Sequence, residues 1–347
     1  AGDLMDKSVI FAVAGSGKTT RLVASLNEDK RFLIVTYTES NYCNLREKII
    51  NRFGYFPTNI VLYTYFKFLH GFCYRPFLRS NKNTVGLTFK LPPTFPRYAL
   101  TDDRRYVSSH RQVYANRLAK FIEQSNLMSA VVARMEKYFD FFFVDEVQDF
   151  AGHDFNFLKT ISSANINITF VGDFFQHTFD TSRDGNVNAS LHNDYSSYKA
   201  AFKKANLRVD TDSLKKSRRC SRSVCNFITE KIGIEIDAYD DRESIIRFED
   251  DPKAVAALYE DSTKVKLFYK AHYKYSCHSQ NWGASKGVDS YNDVCVVLNP
   301  ANVKAWKNGS FRDINPETRN KLYVACSRAR GDIIFIPESL LKIYKIT

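Results

Sequence analysis

Short apolar runs recur along the N-terminal half of the chain, with helix-like stretches between them. The runs are SVIFAV from Ser8, RFLIVT from Arg31, FFFV from Phe141 and NITFV from Asn167. Their length and composition are typical of buried strands. The stretches between them, such as YCNLREKIINRF from Tyr42, space apolar residues as a helix does. This alternation predicts an α/β fold with a parallel sheet.

The same alternation returns in the C-terminal half, after a polar stretch at residues 206–217. Four further runs predict strands there, namely SIIRF, KVKLFY, DVCVVL and DIIFIP. We therefore predict two tandem α/β lobes, residues 1–210 and 211–347. Prolines interrupt the pattern between residues 76 and 96, and we expect a small insertion at about 74–138 of the first lobe.

Charge adds a candidate partner. The 347 residues carry a formal net charge of +12. The excess is concentrated in KKSRRCSR (Lys215 to Arg222) and between Arg75 and Arg111. A solvated basic surface explains such clusters, and so does a site for a polyanion such as nucleic acid.

The rest of the composition bears on the cellular compartment and on zinc binding. No apolar run is long enough to span a bilayer and no secretory signal is present, so we expect a cytoplasmic protein without a membrane partner. The seven cysteines form no CxxC pair, which argues against zinc. We expect the natural chain to begin at Met5.

The first strand runs into AVAGSGKT, residues 12–19, which fits the P-loop pattern with alanine in the first glycine position. A backbone that turns at Gly15 and Gly17 directs N–H groups at phosphate oxygens, and the following helix N-terminus adds positive potential. We predict that residues Ala14 to Thr20 (Ala14, Gly15, Ser16, Gly17, Lys18, Thr19 and Thr20) bind ATP. Lys18 would reach the β- and γ-phosphates, and the Thr19 hydroxyl would hold Mg²⁺. The alternative is a glycine turn before an ordinary helix.

A second strand, FFFVDEVQD, ends in acids. In a P-loop ATPase a strand near the P-loop supplies an acid that orders Mg²⁺, and Asp145 fits this role. Glu146 can polarise the water that attacks the γ-phosphate. Without the P-loop, the two acids would be interpreted as a solvated pair at a strand end.

Taken with these two motifs, DEVQD resembles motif II of superfamily 1 helicases of the UvrD/Rep-like kind. Further blocks resemble the motifs of that family in the same order: VTYTESNYCNLREKI (Ia), GDFFQHTF (III), RRCS with CNFI (IV), SKGVDSYNDV (V) and LYVACSRAR (VI). The resemblance spans nearly the whole chain. It implies two tandem RecA-like P-loop NTPase lobes with small or absent accessory subdomains.

The resemblance also implies roles for residues outside the P-loop. Gln176 would contact the γ-phosphate or the attacking water, and Arg219 and Arg328 would act as arginine fingers from the second lobe. Asp289 matches an acid that contacts the ribose. Gln148 would link the Mg²⁺ site to motifs III and VI.

Nucleic-acid contacts are expected at Tyr37 and Thr38 of motif Ia, Tyr65 of motif Ib, Phe179 of motif III and Lys286 of motif V. Single strands are held in cationic grooves with aromatic side chains under the bases. Each of these aromatic residues has an alternative role in the core.

The chain departs from the family pattern in five places. Few residues precede the P-loop in this sequence, so we expect the glutamine motif that reads adenine to be missing. Arg218 stands where an aromatic residue is usual. Motif III lacks its following tryptophan, and Gly283 replaces a histidine of motif V. The insertion between motifs IV and V is short. A bare two-lobe motor of this kind is expected to unwind poorly alone and to need a partner protein or a second copy.

Three functions fit these observations. The favoured one is an ATP-dependent single-stranded-DNA translocase or helicase that hydrolyses ATP in the cleft between two lobes, with RNA as a possible alternative strand. The second is a nucleotide-switched regulatory ATPase subunit of a larger DNA-processing or phage-defence complex. The third, a P-loop kinase for a small molecule, gives no reason for two arginine motifs or for DEVQD.

Overall fold

The structure is a computed structural model that describes residues 5–178 and 184–346. The chain forms two compact units. Unit 1 contains residues 1–11, 18–172 and 179–210, and unit 2 contains residues 12–17, 173–178 and 211–347. The main division thus falls after Asp210, while two short segments that follow strands of unit 1 belong to unit 2 by their contacts.

Unit 1 is built on a sheet of six parallel strands with the order β3-β2-β6-β7-β1-β8. These strands are Lys7–Phe11 (β1), Phe32–Thr36 (β2), Ile60–Thr64 (β3), Phe141–Asp145 (β6), Asn167–Gly172 (β7) and Arg208–Asp210 (β8). A separate parallel pair is formed by Gly86–Thr88 (β4) and Gln112–Tyr114 (β5). The central strands are buried because nearly every residue in them is apolar.

Helices of unit 1 connect these strands in the way that parallel neighbours require. They are Lys18–Ala24 (α1), Glu39–Phe53 (α2), Tyr65–Lys67 (α3), Arg75–Leu78 (α4), Leu118–Gln124 (α5), Met128–Tyr138 (α6), Gly152–Ile161 (α7) and Tyr195–Lys204 (α8). A π-helical segment, Phe68–Tyr74, joins α3 to α4. The predicted insertion, 74–138, holds α4 to α6 and the β4–β5 pair.

Unit 2 has its own sheet of five parallel strands with the order β11-β15-β14-β12-β13. These are Ile246–Phe248 (β11), Val265–Phe268 (β12), Ser279–Asn281 (β13), Val294–Leu298 (β14) and Ile333–Pro337 (β15). A short parallel pair, Lys216–Ser217 (β9) and Asp237–Ala238 (β10), lies outside this sheet. The helices are Arg222–Phe227 (α9), Pro252–Glu260 (α10), Pro300–Lys307 (α11), Pro316–Cys326 (α12) and Glu338–Leu341 (α13).

The predicted fold class is confirmed: the protein is α/β, with two tandem units that each contain a parallel sheet. Two strands of the six-stranded sheet of unit 1 were not predicted, and neither was the separate β4–β5 pair. β3 has a mixed pattern of buried and partly exposed residues, and β8 lies inside the polar stretch where only a boundary was expected. No helix among the described residues is long and apolar enough to cross a membrane.

Candidate functional site

The acidic end of β6 is the centre of the site in unit 1. Strands β6, β7 and β1 are neighbours, so their carboxyl ends lie at one edge of the sheet, where α/β proteins bind ligands. Asp145 ends β6, and Glu146 follows with a left-handed backbone at φ 60°. A non-glycine residue rarely adopts this conformation, and such strain is concentrated at functional positions.

Lys18 and Thr19 of α1 contact the two acids. The Lys18 Nζ atom lies 3.0 Å from Glu146 Oε1, and the Thr19 hydroxyl donates to Asp145 Oδ2 at 3.0 Å. Gln148, buried in the 3₁₀ turn Val147–Asp149, donates from its amide to Glu146 Oε2 at 2.5 Å. The sequence-predicted lysine, threonine, two acids and glutamine are thus brought together in unit 1.

The electrostatics of this cluster depend on burial and on the Lys18 charge. Burial and the neighbouring Glu146 carboxylate raise the pKa of Asp145 to about 6, although Lys18 and the Thr19 hydroxyl act in the opposite direction. Two adjacent buried carboxylates are costly without a cation. The site therefore favours positive charge.

The backbone before Lys18 makes its contacts within unit 2. Gly15 has φ 72°, and a Cβ atom at this position would lie 2.6 Å from Arg219 Cβ and 2.8 Å from Ser217 Oγ. The Arg218 N–H donates to Gly15 O at 2.9 Å. Glycine is therefore required at position 15 both for its backbone conformation and for this close approach.

Tyr323 of α12 connects three segments of unit 2. Its buried hydroxyl accepts from the Ala14 N–H at 2.9 Å and donates to Asp173 Oδ2 at 2.8 Å. Asp173 Oδ2 also accepts from the Gln176 side-chain amide at 2.8 Å. Burial, together with the Asp173 charge, raises the pKa of Tyr323 well above its usual value, so the phenol keeps its proton. The predicted sensor Gln176 is thus linked to the glycine-rich loop through Asp173 and Tyr323.

Replacement of Tyr323 by phenylalanine is expected to lower the free energy of unfolding by roughly 1–3 kcal/mol, because a buried N–H and a buried carboxylate each lose a hydrogen-bond partner. Thermal and denaturant unfolding would measure the loss. Tyr259→Phe is the matched control, since Tyr259 is a buried tyrosine of the same unit that stacks on Tyr344. Equal unfolding temperatures for both variants would show that the Tyr323 hydroxyl does not hold the loop in place.

Two arginines of unit 2 converge on one carboxylate. Arg219 forms an ion pair with Asp289, and Arg328 Nη1 lies 4.0 Å from the same oxygen. Arg219 also donates to Ser327 O at 3.0 Å, and Arg328 donates to Val288 O at 3.2 Å. Burial and the nearby Arg219 charge lower the pKa of Arg328 to about 10, which leaves it protonated at neutral pH. The cluster therefore holds one more positive than negative charge.

Asp289 was expected to contact a ribose, whereas in this structure its carboxylate is held by Arg219. Arg218 was expected at the position of a stacking aromatic residue, and its guanidinium lies 4.2 Å from the centroid of the exposed Tyr239 ring. Arg218 thus already stacks on a ring of its own unit.

The residues expected to contact nucleic acid are placed unequally. Tyr37 is partly exposed, but Tyr65 is only 1% exposed and belongs to the core of unit 1, so its ring offers no face to a base. The Thr38 hydroxyl caps α2 by accepting from the Asn41 N–H. Lys286 is partly buried after the 3₁₀ turn Gly283–Ser285. Phe179 lies outside the described residues.

The residues present fit a nucleoside triphosphate with Mg²⁺. The Thr19 hydroxyl and the Asp145 carboxylate offer adjacent oxygen ligands of the kind that Mg²⁺ prefers. Among the described residues no cluster of three His, Cys, Asp or Glu could hold a metal. The buried Ser16 hydroxyl has no hydrogen-bond partner in the described part of the chain, and a phosphate oxygen would supply one. Thr20 is exposed on α1.

Several site residues were missed by sequence reasoning. Tyr323, Asp173 and Ser217 lie within or beside blocks that the sequence already singles out. Gly172 was also missed, although a Cβ there would collide with the Gln148 side chain. Position within a motif was the available signal for all four, but their contacts depend on the folded chain.

Comparison with known proteins gives limited likeness. No protein-family model matches the chain, and no curated protein sequence matches it. Among solved structures, it is similar to the PRRSV helicase, with 13% identity over 96% of this chain and 52% of that chain, at a TM-score of 0.46.

Two structures of Arterivirus nonstructural protein 10, a helicase, are similar to the same degree. The complex with DNA is 14% identical over 96% of this chain and 63% of that one, at a TM-score of 0.46. The second structure is 14% identical over 98% of this chain and 62% of that one, at the same TM-score. This chain thus spans between half and two thirds of the length of the three structures.

Proposed function

We propose that the chain is an ATP-dependent translocase or helicase of superfamily 1 that acts on single-stranded DNA. The observation that carries this proposal is the pairing of Lys18 with Glu146 and of Thr19 with Asp145 in unit 1. These contacts support the proposal because a phosphate-binding loop would supply the lysine and the hydroxyl, and hydrolysis would need the two acids. The ordered motifs of the sequence supply the helicase part of the proposal.

In this proposal Glu146 accepts a proton from the water that attacks the γ-phosphate. Thr19 and Asp145 would hold Mg²⁺, which would neutralise charge on the phosphates. Lys18 binds the β- and γ-phosphates. The Lys18 ammonium is paired with Glu146 in this structure, so the ATP phosphates must compete with the Glu146 carboxylate for the ammonium. When ATP binds, the carboxylate is released and can act as a base.

Arg219 and Arg328 would stabilise the charge that develops on the γ-phosphate, a task for which planar guanidinium groups are suited. The surplus positive charge of their cluster with Asp289 supports this role. For Arg219 in particular, it is supported by the close approach to Gly15, where an added Cβ would lie 2.6 Å from Arg219 Cβ. Gln176 would report the presence of the γ-phosphate, supported by its link through Asp173 and Tyr323 to Ala14.

The nucleic-acid part of the proposal is supported by the net charge of +12 and by the motif order. ATP would lie between the two lobes, and hydrolysis would change how they grip a strand. A cytoplasmic setting and a partner protein or second copy that aids unwinding belong to the same proposal.

Glu146→Gln is expected to retain ATP while slowing hydrolysis about 10²- to 10⁴-fold, because the amide cannot accept the proton. Loss of the competing carboxylate also frees Lys18, so ATP should bind more tightly than to the unchanged protein. Single-turnover hydrolysis and binding of labelled ATP measure the two effects. Glu28→Gln serves as control, since Glu28 is exposed and pairs with Tyr55. Normal hydrolysis by Glu146→Gln would exclude Glu146 as the base.

The proposal as a whole is tested by ATPase rates across single- and double-stranded DNA and RNA, followed by unwinding of a tailed duplex. Stimulation by single-stranded DNA is expected. Strong stimulation without unwinding would favour the regulatory ATPase subunit instead. Preference for RNA would move the substrate to that polymer, and phosphate transfer to an acceptor other than water would favour a kinase.

A further inference from the structure

A continuous series of aromatic rings runs through unit 1 from the acidic turn to the surface. Phe150, which follows DEVQD, contacts Tyr65 and Tyr37 at centroid distances of 4.8 and 5.6 Å. Both tyrosines contact Phe66, at 5.4 and 5.7 Å. The ring of Phe66 in turn contacts that of Phe89, with the centroids 5.3 Å apart and the two ring planes at 86°. The series thus ends at a residue of the insertion.

Phe89 is exposed although it is a large apolar side chain. Its exposed fraction is 70%, and it directly follows β4, which the pairing with β5 fixes in place. Phe66 contacts the Phe89 ring, and most of the side chain is exposed to solvent. A supported ring with a free face is the geometry that base stacking requires.

The segment around Phe89 is strongly basic. Residues 75–117 contain nine arginines and lysines but only two aspartates. Four exposed cations there form no ion pair with a described residue, namely Arg75, Arg79, Lys90 and Arg97. Arg97 lies 5.5 Å from the centroid of Phe95, which is exposed as well. Cations interleaved with exposed rings match the backbone and the bases of a single strand.

We propose that Phe89 is a base-stacking residue for single-stranded DNA, and that the cations of residues 75–97 hold the adjoining phosphates. The inference deepens the proposed function, on which it rests, by assigning a strand contact to the insertion. Phe89 would also provide an aromatic ring for stacking in a chain that lacks the tryptophan after motif III. The expected aromatic Tyr65 is buried, and Phe66 carries its contact outward to Phe89.

Charge decides between DNA and a protein partner at this surface. A protein that docked on apolar side chains would leave four unpaired cations beside the interface, and burial of unpaired charge is costly. A polyanion instead gains from each of them by counterion release. The bases supply flat apolar faces for the rings.

The test is binding of a fluorescent thymidine oligomer, measured by anisotropy in the absence of nucleotide. Phe89→Ala is expected to weaken binding about tenfold, as for loss of one stacking contact. Phe89→Trp should bind as tightly as the unchanged protein, while Phe89→Leu, which keeps apolar area without a ring, should resemble Phe89→Ala. An abasic oligomer of the same length should bind the unchanged protein and Phe89→Ala equally, because only the phosphates remain.

Tyr55→Ala is the matched control, since Tyr55 is an exposed aromatic residue of the same unit that donates to an acid, Glu28. It should bind the thymidine oligomer normally. Binding by the unchanged protein together with normal binding by Phe89→Ala would overturn the stacking role alone. Normal binding by Phe89→Leu, with loss only in Phe89→Ala, would also overturn it, because apolar area without an aromatic ring would then be enough for binding. If the unchanged protein binds no oligomer, the proposed function and this inference fail together.

Discussion

Replacement of Lys18 by alanine is expected to reduce ATP turnover below detection while leaving the affinity for single-stranded DNA largely intact. The ammonium lies 3.0 Å from Glu146, and in the proposed reaction it moves onto the β- and γ-phosphates. No other lysine occurs in the loop. ATPase assays and oligomer binding without nucleotide measure the two outcomes.

The control for this variant is Lys30→Ala, which removes an exposed lysine near the N-terminal edge of the same sheet. Thermal unfolding must accompany both variants, because loss of one partner of a buried ion pair typically costs several kcal/mol. Loss of turnover and of DNA binding together, with normal unfolding, would point to a different nucleotide site.

Arg328→Ala is expected to cut turnover by about 10³-fold or more, the effect of removing an arginine finger. ATP should still bind, because the glycine-rich loop and Lys18 are unchanged. Arg328 is 1% exposed and donates to Val324 and Val288 carbonyl oxygens. Arg328→Lys should recover only part of the rate, since an ammonium keeps the charge but not the planar fork. Single-turnover hydrolysis at saturating ATP measures the chemical step.

Arg330→Ala is the matched control, because Arg330 is an exposed arginine of the same motif that donates to the Asp289 backbone carbonyl. Its turnover should remain near that of the unchanged protein. Turnover by Arg328→Ala at the level of Arg330→Ala would remove Arg328 from the reaction. Unfolding of Arg328→Ala at a much lower temperature would show that the Arg328 side chain is needed to stabilise the core of unit 2. Comparison with Arg328→Lys then separates the contribution of its charge from that of its packing.

Much of the fold could be predicted from the sequence because parallel strands buried on both faces are nearly continuous apolar runs. Every run singled out in this way contains a strand, and most boundaries differ by one or two residues. β3 and β8 were missed for opposite reasons. β3 alternates buried and partly exposed residues, while β8 has the sequence RVD and is a strand only because it pairs with β1.

The candidate site was predictable where chemistry requires a fixed spacing along the chain. Lys18 and Thr19 are neighbours in a loop, and Asp145 and Glu146 are neighbours at a strand end, so two local patterns specify all four. Tyr323, by contrast, acts on Ala14 from 309 positions away, and no local pattern indicates that contact. Tyr65 shows the opposite difficulty, because an aromatic residue at a motif position does not reveal whether its ring faces solvent or the core.

The aromatic rings from Phe150 to Phe89 connect the acidic turn of unit 1 to its surface through a series of side-chain contacts. Close-packed side chains transmit a displacement instead of absorbing it. A rotation of the turn that carries Gln148 would therefore displace Phe150 and, through the two tyrosines, Phe66. A displacement at the carboxylates would thus reach the exposed Phe89 ring through side-chain contacts alone, without a hinge. Replacement of one ring in the middle of the series, such as Phe66, by a smaller side chain would uncouple the two ends.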